Sequence, residues 1–321
     1  MSLAIGRRGW IGVGLQTAAQ VPATIADYVD FTENTLTGIQ DQLEIDHATS
    51  LRDKIAGTVP GQAHSEGNFS MYVDTTKIGY FLASTFGTVQ AFSLGSGVTR
   101  HVFTRNNSNV PQYMTLTEDR VVDRQLYADV CVDEFDLKVG TDLAEASMKL
   151  VGNFPQTTTS GTKTTTSGNV FSFASAQFAF ATTISGAQSA TPLKPHDFEL
   201  KINNNAEAVY AHGQTTPRSI NYKEFTAEAS FTLYFESTTD RDNYYNQAKQ
   251  AASLELYGNG IGGGFTESLI FNFYKASFKS FELETGLDNY YAEKVAMTCE
   301  NDTSTGRTVD ASLTNTKTLY I

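Results

Sequence analysis

Residues 68–74 read NFSMYVD and residues 230–236 read SFTLYFE. Position by position the two agree: a small polar residue, Phe, a hydroxyl, Met or Leu, Tyr, Val or Phe, an acid. FDLKVG at 135–140 and FELETG at 281–286 align in the same way, and the two halves close on VGN, ending at Asn153, and CEN, ending at Asn301. Upstream, Arg52 in TSLRDK and Arg218 in TTPRSI hold matching places. Arg218 follows Arg52 by 166 residues and Phe231 follows Phe69 by 162, so the offset drifts by a loop's worth of residues. A single long period of this kind is an internal duplication, not a solenoid of short repeats. The chain must therefore fold as two like units.

Each unit reads as strand, helix, long strand and closing strand. FSMYVD, QLYADVCVDEFDLKV and ASMKLVGNF alternate apolar with polar residues, the pattern of strands with one wet face. The run 124–139 is far longer than the usual strand of about six residues. Between the first two lies TTKIGYFLASTFG, where Thr75 can cap a helix, Ile78, Phe81, Leu82 and Phe86 share a face, and Gly87 can stop it. STTDRDNYYNQAKQAAS, capped by Ser237 or Thr238, is the matching helix of the second unit. Aromatics reach 12% and charged residues only 18%, as in a mainly β protein. Four segments follow: an N-terminal arm, 1–22, rich in glycine and with little structure of its own; a first unit, 23–155; a linker or exposed loop of Ser, Thr and Gly, 156–169; and a second unit, 170–321.

Several function classes are disfavoured. The net charge is −12, split as −7 before Pro155 and −5 after it, so neither half is a phosphate clamp. Cys131 and Cys299 match no zinc spacing, and two reduced, partly buried thiols are favoured over a disulfide. His47, His64, His101, His196 and His212 show no metal spacing. Gly258, Gly260 and Gly263 satisfy G-x-G-x-x-G, but an alternating strand follows where a phosphate site needs a helix, so the loop reads as a hairpin connection. Asp129, Asp133, Glu134 and Asp136 lie on an alternating strand. The first two share one face and the last two the other, which fits a solvated strand better than a calcium or carboxylate-pair site. No nucleophile motif is present, and no enzyme, metal or cofactor is expected. The N-terminus lacks a signal sequence and no segment is long enough to span a membrane, so a soluble protein made in the cytoplasm is expected.

GVGLQTA in the arm, GNFSMYVDTTKIGYFLASTFG, FELKINNNAEA and TPRSI together resemble the major tail tube proteins of long-tailed bacteriophages, in the class with a duplicated tube domain. The resemblance implies two β-sandwich or distorted-barrel domains, each flanked by a short helix. It implies rings stacked into a hollow tail tube that conducts the genome, with no catalysis. The implied partners are further copies of the chain, a tape-measure protein, tail-terminator and distal-tail proteins, and DNA passing without tight binding. The implied location is the virion tail, assembled in the host cytoplasm without membrane anchoring. Two copies per chain would let three chains imitate a sixfold ring. Closing long strands into a ring would also remove their open edges. Candidate contacts between subunits or rings are Arg7, Arg8 and Trp10 in the arm, with Arg52 and Arg218. The alternatives are a tube-capping, distal-tail or baseplate protein built on the same domain, and a surface carbohydrate-binding β protein.

Overall fold

The alternating runs pair as antiparallel strands in a computed structural model that describes residues 6–47, 54–159, 163, 168–285 and 290–320. The first copy comprises β1 (Trp10–Leu15), β2 (Asp27–Val29), β3 (Glu33–Asn34), β4 (Thr37–Asp46), β5 (Ile55–Tyr72), α1 (Ile78–Phe86), β6 (Gly87–Gly95), β7 (Val98–Arg105), β8 (Met114–Asp119), β9 (Arg124–Val139) and β10 (Glu145–Gly152). The short β11 (Gln156–Thr157) leads out of it. The second copy comprises β12 (Ala176–Ala181), α2 (Ile184–Ser189), β13 (Asp197–Asn203), β14 (Glu207–Val209), β15 (Ser219–Asn221), β16 (Thr226–Tyr234), α3 (Thr239–Tyr245), β17 (Lys249–Gly262), β18 (Phe265–Glu284), β19 (Ala292–Cys299) and β20 (Val309–Asn315).

The duplication extends to irregularities that no sequence pattern announces. In β9 the pairing with β10 slips at Asp133, and in β18 the pairing with β19 slips at Lys279. These positions are 146 residues apart, the same offset that aligns Phe135 with Phe281. A second slip lies between Met114 and Leu116 on β8 and between Gln250 and Ala252 on β17. Such bulges bend a strand and raise its twist, so matched bulges give the two copies the same curvature.

The copies are joined edge to edge. β9 of the first pairs with β13 of the second, from Phe198 opposite Val139 to Asn203 opposite Glu134. The resulting sheet runs β4–β5–β10–β9–β13–β16–β19–β18. One of its faces is mainly apolar and packs into the core, with Phe69, Phe135, Leu200, Phe231 and Val295 all fully buried. One cluster of buried side chains runs through both copies, and Phe135 of the first meets Phe271 of the second at 6.4 Å between ring centroids. The repeat is thus one of topology around a shared core.

The arm is built into the fold. Trp10–Leu15 is a fully buried strand between β8 and β2. Its glycines serve close approach, not flexibility. A Cβ on Gly12 would lie 2.5 Å from Ile25, and one on Gly14 would lie 2.3 Å from the Thr24 carbonyl. α1 ends at Gly87, whose φ of 82° closes the left-handed cap. Thr75 does not cap its start: Lys77 holds the N-cap position without a side-chain cap, and the Asp74 carboxylate secures the preceding turn by accepting from the Thr76 and Lys77 amides at 2.8 and 2.9 Å. The Thr75 hydroxyl instead donates to Glu267 at 2.9 Å. The second helix ends at Tyr245, and KQAAS joins β17, because the partner strand β18 claims it. Residues 262–264, all glycines with positive φ, turn β17 into β18 as a hairpin. The linker's ends also belong to the fold: Gln156 and Thr157 pair with β9, and the Asn169 carbonyl accepts from the Thr75 amide at 2.8 Å.

Candidate assembly surface

Opposite the core, the long sheet presents a second face that is mainly polar. One row crosses seven strands as Tyr72, Glu145, Lys138, Glu199, Ser230, Ala296 and Ser280, each directly opposite the next. Neighbouring rows add Glu134, Asp136, Lys149, Lys201, Glu228 and Glu282. Short ion pairs cross the strands, among them Lys279–Glu228 at 2.6 Å, Lys149–Glu66 at 3.1 Å and Lys138–Glu199 at 3.5 Å. Among the described residues, Glu66, Glu134, Asp136, Glu145, Asp197, Glu199, Glu228, Glu282 and Glu284 face Lys138, Lys149, Lys201, Lys279 and Lys294, so acids exceed bases. Burial raises the Asp136 carboxyl above its usual range, with Lys201 and Lys138 opposing the shift.

Asp129 and Asp133 leave this face. They are 4% and 6% exposed, which corrects the reading of the acidic stretch as a solvated strand. Asp129 accepts from the Gln20 amide at 2.7 Å and from Asn153 at 2.6 Å. Asp133, at the bulge, accepts from the Ala206 amide at 2.7 Å and pairs with Lys149 at 3.1 Å. They are internal fasteners. The thiols of Cys131 and Cys299 are free and buried, and burial pushes both above the usual thiol range.

Two edges of the sheet are open. At one end, residues 278–284 of β18 pair with β19 alone among the described residues. At the other end, β3 and β4 pair with β5 alone. These two edges correspond, by the internal repeat, to the edges of β9 and β13 that meet inside the chain. From β4 and β5 a long hairpin extends, with Ile39, Leu43, Ile45, Ile55 and Val59 each at least 38% exposed. An open edge and a row of exposed apolar side chains are both costs for an isolated molecule.

The arm and arginine candidates fall in different places. Trp10 is 8% exposed, its ring edge-on to Tyr28 at 5.2 Å and covered by the Arg124 guanidinium at 5.4 Å. Its surface is provided by its own chain. Arg7 and Arg8 are exposed in a 3-10 turn, Gly6–Arg8. Arg218 lies in the turn between β14 and β15. Its amide donates to the Val209 carbonyl at 2.8 Å, and its carbonyl accepts from Gln20 at 3.1 Å. Arg52 lies outside the described residues. The structure brings none of these into one site, and the residues of the two open edges were missed as candidates.

The family model for phage tail tube proteins matches residues 6–314. The chain belongs to the phage tail tube protein family. A search of curated proteins finds no match. Family membership makes this a structural component of a bacteriophage tail, and the mainly β architecture agrees with it. No helix among the described residues is long and apolar enough to cross a membrane.

Proposed function

We propose that the chain closes head to tail into rings of three, which stack into the hollow tube that delivers the phage genome. The single observation behind this reading is the β9–β13 junction. It joins the second copy to the first inside the chain, and the two open edges are its unpaired equivalents. Transferring its register by the repeat offsets sets Thr37 opposite Glu282, Gly38 opposite Phe281 and Ile39 opposite Ser280 of the next chain. Each chain supplies eight strands of the continuous sheet, so three supply twenty-four, and no edge remains. The polar face then lines the lumen. Its acidic excess keeps DNA phosphates from binding, as a conduit requires. The exposed apolar side chains of the β4–β5 hairpin meet the next ring, and a tape-measure protein and the terminator and distal-tail proteins meet the lumen and the tube ends. Assembly proceeds in the host cytoplasm.

A Thr37→Cys/Glu282→Cys protein tests the closure. Opposed residues of antiparallel strands lie within disulfide reach, about 4.5–5.5 Å between Cα atoms. Under oxidation the protein should form covalent species ending at three chains, matching the mass of the ring by mass photometry. A six-chain ring, or a ring that never crosslinks at this pair, overturns the reading.

A further inference from the structure

Inside the chain the β9–β13 junction does not end with its ladder. Beyond Asn203 the second copy sends its β14–β15 hairpin over the first. The Ala206 amide donates to the Asp133 carboxylate at 2.7 Å, and the Tyr113 hydroxyl donates to the Ile220 carbonyl at 2.6 Å. The Asn204 side chain donates to the Thr85 and Val132 carbonyls. Tyr113, Cys131, Val151 and Ile220 form a buried apolar cluster of their own, with Ala206, Ala208 and Tyr222 packed against it. The hairpin is an apolar lock laid across the junction.

The first copy has the same hairpin. Asn34 lies opposite Phe69 as Phe198 lies opposite Phe231. Leu43, Glu44 and Ile45 lie opposite Val59, Thr58 and Gly57, as Glu207, Ala208 and Val209 lie opposite Asn221, Ile220 and Ser219. Offsets of 164 residues on the outgoing strand and 162 on the returning strand relate all four pairs. The outer part of β4–β5 is thus the first copy's β14–β15, with Glu44 and Thr58 standing where Ala208 and Ile220 stand. Glu44 and Thr58 are exposed, whereas Ile220 is buried.

The surface that corresponds to the lock's seat lies on the second copy. The matched bulges put Lys249 in the place of Tyr113, and Ser277 and Thr298 in the places of Cys131 and Val151. Lys249, Ser277 and Thr298 lie directly opposite one another on β17, β18 and β19. Tyr113, Cys131 and Val151 are buried under their hairpin, whereas Lys249 is exposed and Ser277 and Thr298 are half-buried. Lys249 and Lys275 both pair with Glu300, and Lys279, in the place of Asp133, pairs with Glu228. Three lysines against two carboxylates leave the patch positive. β4 carries Asp41, Glu44 and Asp46 and no base. Both halves of the apolar lock are replaced by polar ones, and their charges are opposite.

We propose that the β4–β5 hairpin of one chain lies on the Lys249, Ser277 and Thr298 patch of the next, with Glu44 paired to Lys249 and Thr58 against Ser277. This rests on the ring closure proposed above and keeps its register, which brings Gln42 to Lys279 as Ala206 comes to Asp133 inside the chain. The two faces of the hairpin then have separate tasks. Glu44 and Thr58 meet the neighbour within the ring, and Leu43 and Val59, on the alternate face, stay free for the next ring. The exchange of chemistry also sorts the two junctions. Glu44 laid on Tyr113, Cys131 and Val151 would bury an unpaired carboxylate, and Ile220 laid on Lys249 would cover an ammonium group with an apolar side chain. Each hairpin fits one seat, so the boundary between chains is distinguished from the junction inside them.

The experiment compares Glu44→Lys, Lys249→Glu and the double reversal in the full chain carrying Thr37→Cys/Glu282→Cys, with mass photometry before oxidation. Each single reversal should raise the concentration needed for rings about tenfold, and the double reversal should return it to within about threefold of the parent. Urea unfolding identifies any loss that begins in the monomer. Should Lys249→Glu show one, Glu44→Lys and Glu44→Gln decide alone, since Glu44 is exposed. Glu44→Gln should need about threefold more chain and respond less to added salt. If the Glu44 variants assemble like the parent, or the double reversal is as impaired as the worse single one, the lock is wrong, and crosslinking of the Thr37/Glu282 pair shows that the ring stands. If the parent itself does not crosslink between chains, the ring closure falls and the lock with it.

Discussion

Phe135→Ala should destabilise the isolated chain by about 3–5 kcal/mol, while Phe281→Ala, at the same place in the repeat, should cost it about 1 kcal/mol or less and yet abolish rings. Phe135 is fully buried, flanked on its sheet by β10 and β13, so truncation leaves a cavity in the middle of the core. Phe281 packs against the same core from β18, but no strand covers its outer side among the described residues, and its ring is only partly buried. Its remaining burial comes with the neighbouring chain, so its truncation is felt at assembly. Urea unfolding of dilute monomer measures the first pair of numbers, and mass photometry at rising concentration measures the second. Equal losses of monomer stability for the two variants would show that the β18 edge is already closed within one chain.

This contrast also shows what the sequence could and could not convey. The paired motifs NFSMYVD and SFTLYFE fall in β5 and β16 with Phe69 and Phe231 fully buried, and the long run 124–139 is a single strand with the predicted bounds. Alternation over many residues is a strong local signal, and duplication doubles it. The failures share a cause, which is tertiary approach. Glycines at 12 and 14 read as flexibility until residues 23–25 are seen crossing them. Asp133 reads as one more residue of an alternating strand, because a one-residue bulge leaves the pattern almost unchanged while turning the side chain inward. KQAAS carries good helix formers but is a strand because β18 lies beside it. Open edges are the extreme case, since whether a strand has a partner is a property of its surroundings.

The second large effect concerns the position where the two copies differ most sharply in chemistry. Ile78 on α1 and Ala146 on β10 are fully buried in the first copy. The corresponding residues of the second are Asp240 on α3, 8% exposed, and Glu293 on β19, 4% exposed. The two carboxyls are hydrogen-bonded to each other, which requires a proton between them, and Glu293 Oε2 has no partner among the described residues. Burial, reinforced by the Asp240 charge, pushes Glu293 from its ordinary 4.5 up to about 7, and burial raises Asp240 too. The folded chain therefore holds a proton that the unfolded chain has released. The stabilisation is complete below about pH 4.5 and is lost as the pH rises towards 7, amounting to about 2–3 kcal/mol for the Glu293 shift. Glu293→Gln keeps a donor towards Asp240 without a charge. It should leave stability within about 0.5 kcal/mol of wild type at pH 4.5 and exceed it by about 2 kcal/mol at pH 8. Asp240→Ile/Glu293→Ala, which imports the first copy's pair, should flatten the same pH dependence. Denaturant titrations at the two pH values decide it: a Glu293→Gln gain of the same size at both would mean that the shared proton plays no part in holding α3 to the sheet.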